Sequence, residues 1–136
     1  MFRIKQAATL TGFSIDTLRF YDKQGLAVPS HRSPNGYRLY NEDDIARLRF
    51  IKRAKALGFS LESVRELLDI RLQKDQKSCD DVKALTAEKL IEIDQRMADL
   101  NQMRQAVKRL HDNCCGGSES AVQCTILQAL DSVQGV

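Results

Sequence analysis

The chain has few of the residues that interrupt helices, because its 136 residues include only two prolines and seven glycines. The long stretches between them are rich in Leu, Ala, Lys, Arg, Glu and Gln, all of which favour helix. Hydrophobic residues make up 43% of the chain and charged residues 29%, which is typical of a soluble globular protein that can bury a core. The composition therefore predicts a mainly all-α fold.

Long apolar segments are also lacking. No stretch approaches the ~18 consecutive apolar residues that a membrane-spanning helix needs. The N-terminal segment Met1–Lys5 does not lead into the apolar core of a secretory signal either. We therefore expect a cytoplasmic protein without a membrane partner.

Cysteine is scarce as well, and the four residues are Cys79, Cys114, Cys115 and Cys124. Cytoplasmic thiols are kept reduced, so metal binding or redox sensing is expected in preference to a structural disulfide. A thiolate cluster would select Zn, Cd, Hg, Pb or Cu(I) over Mg or Ca. The spacing is less specific than a pair of Cys-x2-Cys units, and isolated buried or reactive thiols explain it equally well.

Positive charge is concentrated in the front half of the chain. Residues 1–78 hold 15 Lys and Arg against 9 Asp and Glu, whereas residues 79–136 hold 6 against 9. A basic helical module favours a polyanion as its partner, and DNA suits it better than a membrane surface. A well-solvated surface explains the charge equally well.

Two short helices joined by a glycine-containing turn are predicted near the N-terminus. An apolar face that begins at Ile4 is interrupted at Gly12, and Ser14 is a good N-cap for a second segment. This is the layout of a helix-turn-helix, whose second helix enters the major groove. A helical hairpin of no particular function has the same pattern.

Residues 29–40 predict a small β-hairpin wing, because Asn35-Gly36 is a strong turn signal between them. Tyr37 and Tyr40 would fall on different faces of a strand, so we expect one to pack inward and the other to point at a phosphate. Asn41 and Ser60 are then predicted to cap two further helices that end near residues 57 and 72.

Residues 80–112 contain no Gly or Pro and predict one helix of ~30 residues, roughly 45 Å long. Its apolar residues follow a heptad-like seam, interrupted where Arg104 takes the expected position. The seam residues are Leu90, Ile93, Met97, Leu100 and Val107. A small domain cannot bury so long a stripe, so we expect a dimer through a two-helix coiled coil. The Cys-Cys-Gly-Gly sequence that follows predicts a loop, and a short amphipathic helix closes the chain.

Several separated motifs resemble the MerR family of regulators over residues 3 to about 72. They are Thr17-Leu18-Arg19-Phe20-Tyr21, Gly25-Leu26, Arg32, Asn35-Gly36-Tyr37-Arg38-Leu39-Tyr40, and Ile51 to Leu57 followed by Gly58-Phe59-Ser60-Leu61. The cysteines that flank the long helix extend the likeness to the zinc-responsive branch of the family. The resemblance implies a winged helix-turn-helix DNA-binding domain (1–72), a linker (73–79), a dimerisation helix in an antiparallel coiled coil (80–112) and a metal-binding loop with a short helix (113–136).

The resemblance further implies a homodimer that binds double-stranded promoter DNA together with RNA polymerase. The DNA-contacting residues that it implies are Arg19 and Tyr21 on the reading helix, Arg32, Tyr37 and Arg38 on the wing, and Lys55 on a second wing. Core packing is the alternative for Tyr21 and Tyr37. Family members bind between promoter elements that are too far apart for the polymerase, and the activating ligand makes the bound protein bend and untwist the DNA.

By the same resemblance, Cys79 of one protomer completes a metal site with Cys114, Cys115 and Cys124 of the other. Copper(I)-responsive members rely on two loop cysteines and lack a thiol at the Cys79 position, so Cys79 and the additional Cys115 favour a divalent ion. By likeness to the zinc-responsive branch, Zn(II) is the leading candidate for the ligand that activates a metal efflux or resistance promoter.

Glu119 marks a departure, since zinc-responsive members commonly carry a histidine there. Glu119 is therefore a candidate ligand, with His111 as the alternative, although His111 is better explained as a cation at a helix C-terminus. If Glu119 is only a solvated loop residue, the all-thiolate site would suit Cd(II), Pb(II) or Hg(II) better.

Other functions explain less of the sequence. A redox regulator with an iron–sulfur cluster is a further alternative, but three tail cysteines do not match a compact four-cysteine motif. The 24 residues after the long helix are too few for a drug-binding domain. A zinc enzyme would need an open coordination position and a general base, and neither is evident, so we expect no enzyme. A metal-storage protein would not need the basic front half.

Overall fold

The computed structural model describes residues 1–114, 116–117, 121 and 124–131. The chain forms two compact units, residues 1–86 and 87–136. The described elements, in chain order, are β1 (Phe2–Arg3), α1 (Ile4–Thr11), α2 (Ile15–Lys23), β2 (His31–Arg32), β3 (Arg38–Tyr40), α3 (Glu42–Ala56), α4 (Leu61–Leu72), α5 (Cys79–Asp112) and α6 (Thr125–Asp131). The prediction of a mainly helical fold with a winged helix-turn-helix is confirmed.

The helices of the first unit begin at the caps that the sequence predicts. Ser14, Asn41 and Ser60 each accept a hydrogen bond from the backbone N–H three residues further on, at 3.1, 2.8 and 3.2 Å. Each cap satisfies one of the amide groups that a helix start leaves without a partner. Gly12 ends α1 with a φ of +79°, a left-handed conformation that glycine adopts without a Cβ penalty.

The wing is a hairpin to which the N-terminus adds a third strand. His31 pairs with Leu39 and Arg32 with Arg38, as antiparallel partners, across the predicted turn. On the other side of β3, Phe2 pairs with Tyr40. The sheet order is β1-β3-β2. The strand at Phe2–Arg3 was not predicted, because two residues are too few to show the alternation that identifies a strand.

The core of the first unit is built around α3. Its buried residues Ile45, Leu48, Ile51 and Ala54 repeat at helical spacing, as the sequence predicts. This helix packs against α1, α4 and β3. Val64 and Leu68 of α4 are buried as well, and Leu61 and Leu67 pack partly buried against the same core. Burial on this scale is the main stabilising contribution to a small domain.

The long helix α5 differs from these helices, because it has no buried residue along its described length. The predicted seam residues Leu90, Ile93, Met97, Leu100 and Val107 are between 37% and 63% exposed. None of the described helices is long and apolar enough to cross a membrane.

Candidate nucleic-acid interface and metal centre

The wing and the second helix of the helix-turn-helix differ in how they present the predicted DNA contacts. Arg19 on α2 has a side chain that is 54% exposed, with only a long ion pair of 3.7 Å to Asp16. Tyr37 on the wing is 61% exposed, whereas Tyr40, the last residue of β3, is 1% exposed. The prediction that one of these two tyrosines packs inward is confirmed for Tyr40, and a contact of the exposed Tyr37 with a phosphate stays a prediction.

Tyr21 belongs to the core by its ring. It is 5% exposed and lies edge-on to the ring of Phe13, with 5.3 Å between the ring centroids. Burial raises the pKa of the Tyr21 phenol above its ordinary value, because the charged form would lose contact with water. Of the two interpretations given for Tyr21, core packing describes where its ring lies.

Two of the predicted wing contacts converge on a residue that the sequence analysis missed. The Asp22 carboxylate on α2 accepts hydrogen bonds from Arg38 Nε at 2.6 Å and from Arg32 Nη2 at 2.9 Å. Arg32 also donates through Nη1 to the Gly36 carbonyl in the wing turn, at 3.2 Å. The partners lie 10 and 16 residues from Asp22 in the chain, so no local pattern in the sequence could have shown the pairing.

A second missed carboxylate fixes the start of the wing. Asp44 is 3% exposed, and its oxygens accept hydrogen bonds from the Ser30 amide at 2.9 Å and the Ser30 hydroxyl at 2.6 Å. It also accepts from the Asn41 amide at 3.0 Å, which completes the capping box of α3. A buried carboxylate is tolerated when such donors replace water. Asp44 thus links Ser30, the residue directly before β2, to α3.

Cations on α3 hold the helix-turn-helix in place. Lys52 Nζ donates to the Gly12 carbonyl at 3.0 Å and lies 4.7 Å from the centroid of the Phe13 ring. Both contacts are at the C-terminal end of α1, where the helix dipole favours positive charge. Lys55, a predicted DNA contact, donates instead to the Phe59 carbonyl at 3.0 Å, just beyond the end of α3.

Two cysteines of the candidate metal centre are described near each other in the tail, with Cys114 just after the end of α5 and Cys124 directly before α6. The pKa of the Cys124 thiol lies below its ordinary value. The backbone N–H of Leu127 makes the largest contribution, the Ile126 N–H and the Cys114 thiol also lower the pKa, and desolvation opposes them. Thr125 Oγ1 donates to the Asn113 carbonyl at 2.9 Å, which joins the start of α6 to the end of α5.

The remaining predicted ligands are distributed differently. Cys79 is exposed at the first residue of α5, and His111 lies in the last turn of that helix. Cys115 and Glu119 lie outside the described residues. In the part of the chain that is described, no three His, Cys, Asp or Glu side chains come together as a metal-binding group. The chemistry of the Cys114–Cys124 pair nevertheless fits a soft or borderline ion, because thiolate is the ligand that such ions prefer.

A winged helix-turn-helix with exposed basic residues on its wing defines a DNA-binding regulator, and comparison with known proteins identifies the family. The family model described as "MerR HTH family regulatory protein" matches residues 2–71, and the model described as "MerR, DNA binding" matches residues 45–110. The chain therefore belongs to the MerR family of helix-turn-helix regulatory proteins. Members of the family are transcription factors, so the prediction that this chain is not an enzyme is confirmed.

Individual relatives resemble the chain over almost its whole length. The "HTH-type transcriptional regulator ZntR" of Escherichia coli K12 is 44% identical over 131 residues, which are 96% of this chain and 93% of that protein. The lead(II) complex of the regulator PbrR691 from Ralstonia metallidurans has a TM-score of 0.80 at 29% identity and covers 96% of this chain and 99% of its own.

The mercury(II) complex of MerR from Bacillus megaterium is similar too, with a TM-score of 0.70 at 27% identity, and it covers 96% of this chain and 100% of its own. Together these likenesses show that the present chain is a metal-responsive transcriptional regulator.

Proposed function

We propose that this protein senses Zn(II) and, when the ion is bound, activates the promoter of a metal efflux or resistance gene by distorting the operator DNA. The observation that carries the proposal is the Cys114–Cys124 pair, whose neighbours Asn113 and Thr125 are joined by a 2.9 Å hydrogen bond and in which backbone amides favour the thiolate form of Cys124. Metal binding requires thiolates, so a site with a lowered thiol pKa releases its proton to a metal more readily.

The proposed ligands come from two protomers. Cys79 stands at the start of α5 and Cys114 follows the end of this helix. In an antiparallel pair of helices, the start of one helix lies beside the end of the other. We therefore assign Cys79 of a second protomer to the site. The other proposed ligands come from the tail of the first protomer and are Cys114, Cys115, Cys124 and Glu119. The bound metal would supply bonds across the dimer and so select one arrangement of its two halves.

The dimer itself is supported by the exposed seam of α5. Met97 and Leu100 are each 63% exposed in the single chain, and a second copy of α5 would remove both from water. A cytoplasmic homodimer of this kind would present two wings to one promoter, alongside RNA polymerase.

The DNA contacts are proposed for the side chains that the fold leaves accessible. Arg19, Tyr37 and Arg32 are exposed to half of their surface or nearly so, and suit contacts to phosphates. Arg38 is less exposed, at 23% of its side chain, and approaches DNA from the same wing. Tyr21 and Lys55 remain proposed contacts, although their first partners are the Phe13 ring and the Phe59 carbonyl.

A regulator that responds to Cd(II), Pb(II) or Hg(II) is the second candidate. It is favoured by the two similar structures, which are complexes with lead(II) and mercury(II). It is also favoured by a site made of thiolates alone, should Glu119 not bind, since larger and softer ions prefer sulfur more strongly than Zn(II) does.

In vitro transcription at buffered free metal concentrations tests the proposal. The reduced protein is added to a promoter with a long spacer, and Zn(II), Cd(II), Pb(II), Hg(II) and Cu(I) are titrated separately. We expect Zn(II) to activate at the lowest free concentration. In the Cys124→Ser variant, the free Zn(II) concentration needed for activation should rise by roughly 100-fold or more. Losing a residue that only orients a metal ligand already lowers metal affinity by up to roughly 100-fold, and Cys124 is itself a proposed ligand.

Two variants decide the role of Glu119. Glu119→Gln should weaken the Zn(II) response if the carboxylate is a ligand, and Glu119→His should restore or strengthen it, because imidazole is a good zinc ligand. A mobility shift on the same promoter confirms that each variant still binds DNA. A lower threshold for Cd(II), Pb(II) or Hg(II) would transfer the assignment to that ion, and a response to no metal would refute metal sensing.

A further inference from the structure

Asp22 is an acidic residue in a surface that has to approach a polyanion. It lies in the last turn of α2, the proposed reading helix, and its side chain is only 10% exposed. An acidic residue in such a place repels phosphates unless its charge is used by a neighbour. The contacts of Asp22 show which neighbours use it.

One oxygen of Asp22 holds two arginines of the wing. Oδ2 accepts from Arg38 Nε at 2.6 Å and from Arg32 Nη2 at 2.9 Å. The bond to Arg32 has a length typical of charge-assisted hydrogen bonds, and the bond to Arg38 is shorter still. Because Arg32 also donates to the Gly36 carbonyl at 3.2 Å, the same network reaches the tip of the wing. The wing is thereby fastened to α2 through a single carboxylate.

The exposures show that the arginines keep part of their binding capacity. The Arg32 side chain is 48% exposed and that of Arg38 is 23% exposed. A guanidinium carries five N–H donors, so each can donate to Asp22 and still present donors to a phosphate. The group of three has a net charge of one positive unit, whereas the two arginines alone would have two.

We propose that Asp22 is a positioning residue for DNA recognition, whose carboxylate orients Arg32 and Arg38 relative to the reading helix and offsets one of their charges, so that the wing favours the operator over unrelated DNA. Fixed donors match a phosphate only where the DNA has the right shape, while a smaller net charge weakens attachment to any other duplex. The inference rests on the proposed DNA contacts of the wing.

The Asp22→Asn variant separates this role from that of a structural brace. Affinity is measured against salt for a duplex that the wild-type protein selects from a random-sequence library, and for a scrambled duplex of equal length and composition. We expect the preference for the selected duplex to fall about tenfold, the size of one charge-assisted hydrogen bond. For the scrambled duplex, the slope of log K against log salt should steepen by up to about 0.9, the value for one further charge.

Two matched variants control the experiment. Asp69→Asn removes the same charge from an exposed position on α4 and should change neither the preference nor the slope. Asp22→Glu keeps the carboxylate and should return both quantities to wild-type values. The inference is overturned if Asp22→Asn alters neither quantity, if Asp69→Asn alters them equally, or if Asp22→Glu behaves like Asp22→Asn.

A measurement on the wild-type protein decides the question even if Asp22→Asn does not fold. The Arg38 Nε–H that donates to Asp22 should exchange with water at least about tenfold more slowly than the Nε–H of the half-exposed Arg19, because a hydrogen-bonded proton is protected. Equal exchange rates in side-chain NMR spectra would refute the hydrogen bond from Arg38 to Asp22. A wild-type protein that selects no duplex would refute the proposed function instead, and these spectra would still test Asp22.

Discussion

The two units of the chain obtain their order in different ways. In residues 1–86, Leu48 and Val64 are almost completely buried and belong to a core that α1 to α4 share with the sheet. In residues 87–136, α5 and α6 have no buried residue among those described, and the Leu100 side chain is 63% exposed. In the first unit, burial of apolar side chains in its own core offsets the loss of chain entropy on folding. The exposed apolar residues of the second unit need a surface outside the single chain for the same burial.

A ligand can shift the second unit more easily than the core of the first. A close-packed core resists small displacements, because its side chains have few alternative arrangements. A helix whose apolar face is covered by a second copy can change its position relative to that copy at lower cost. Of the proposed metal ligands, Cys79 is the first residue of this helix and Cys114 follows its last residue, and neither belongs to the core of the first unit.

The largest effect is expected from truncation in the core. Leu48→Ala removes a side chain that is 1% exposed, and we expect the free energy of unfolding to fall by about 3 kcal/mol because of lost burial and the cavity left behind. Leu57→Ala is the matched control, since Leu57 is 66% exposed in the same unit and should change stability by less than about 0.5 kcal/mol. Equal effects in urea denaturation would break the contrast between core and surface.

A smaller effect is expected from a charge on the seam of α5. Met97→Lys places an ammonium where a second copy of the helix should pack, so the dissociation constant of the dimer should rise tenfold or more, about 1.4 kcal/mol. Ile91→Lys is the control, because Ile91 is 71% exposed and lies off the seam. Sedimentation equilibrium measures both constants. A seam that does not mediate dimerisation would leave Met97→Lys as dimeric as Ile91→Lys.

The smallest effect concerns the thiolate of Cys124. Since backbone amides lower its pKa, a larger fraction is thiolate at neutral pH than in a free cysteine, and alkylation should reach half of its maximal rate at a lower pH. Peptide mass spectrometry of the metal-free protein gives the rate at each pH. Cys114→Ala should raise the midpoint only slightly, because the Leu127 N–H contributes more than the Cys114 thiol. A pH midpoint of alkylation at or above that of free cysteine would contradict the lowered pKa of Cys124.

Much of the first unit could be predicted from local patterns. The caps Ser14, Asn41 and Ser60 form the hydrogen bonds that their positions indicate, because a cap and its amide are only three residues apart. The wing was predicted for the same reason, since its turn is encoded by two adjacent residues, Asn35 and Gly36. The boundaries proposed at residues 72, 79 and 112 remain predictions.

The candidate site was predicted less completely. Family resemblance pointed to Arg32 and Arg38, but not to Asp22, which holds them. It also treated Tyr21 as a DNA contact, although its ring lies against Phe13. Both outcomes depend on which residues meet when distant segments pack, and the sequence pattern around each residue carries no information on that.

By itself, the sequence determined the helices, their caps, the wing turn and the family, because each rests on residues close together in the chain or on motifs in a fixed order. Only the tertiary structure decided that β1 joins the wing, that Asp44 is buried against Ser30, and that Asp22 takes two arginines as partners. The physical reason is that a buried or shared charge is stabilised by whichever donors the fold brings within hydrogen-bonding distance, and these donors come from other segments.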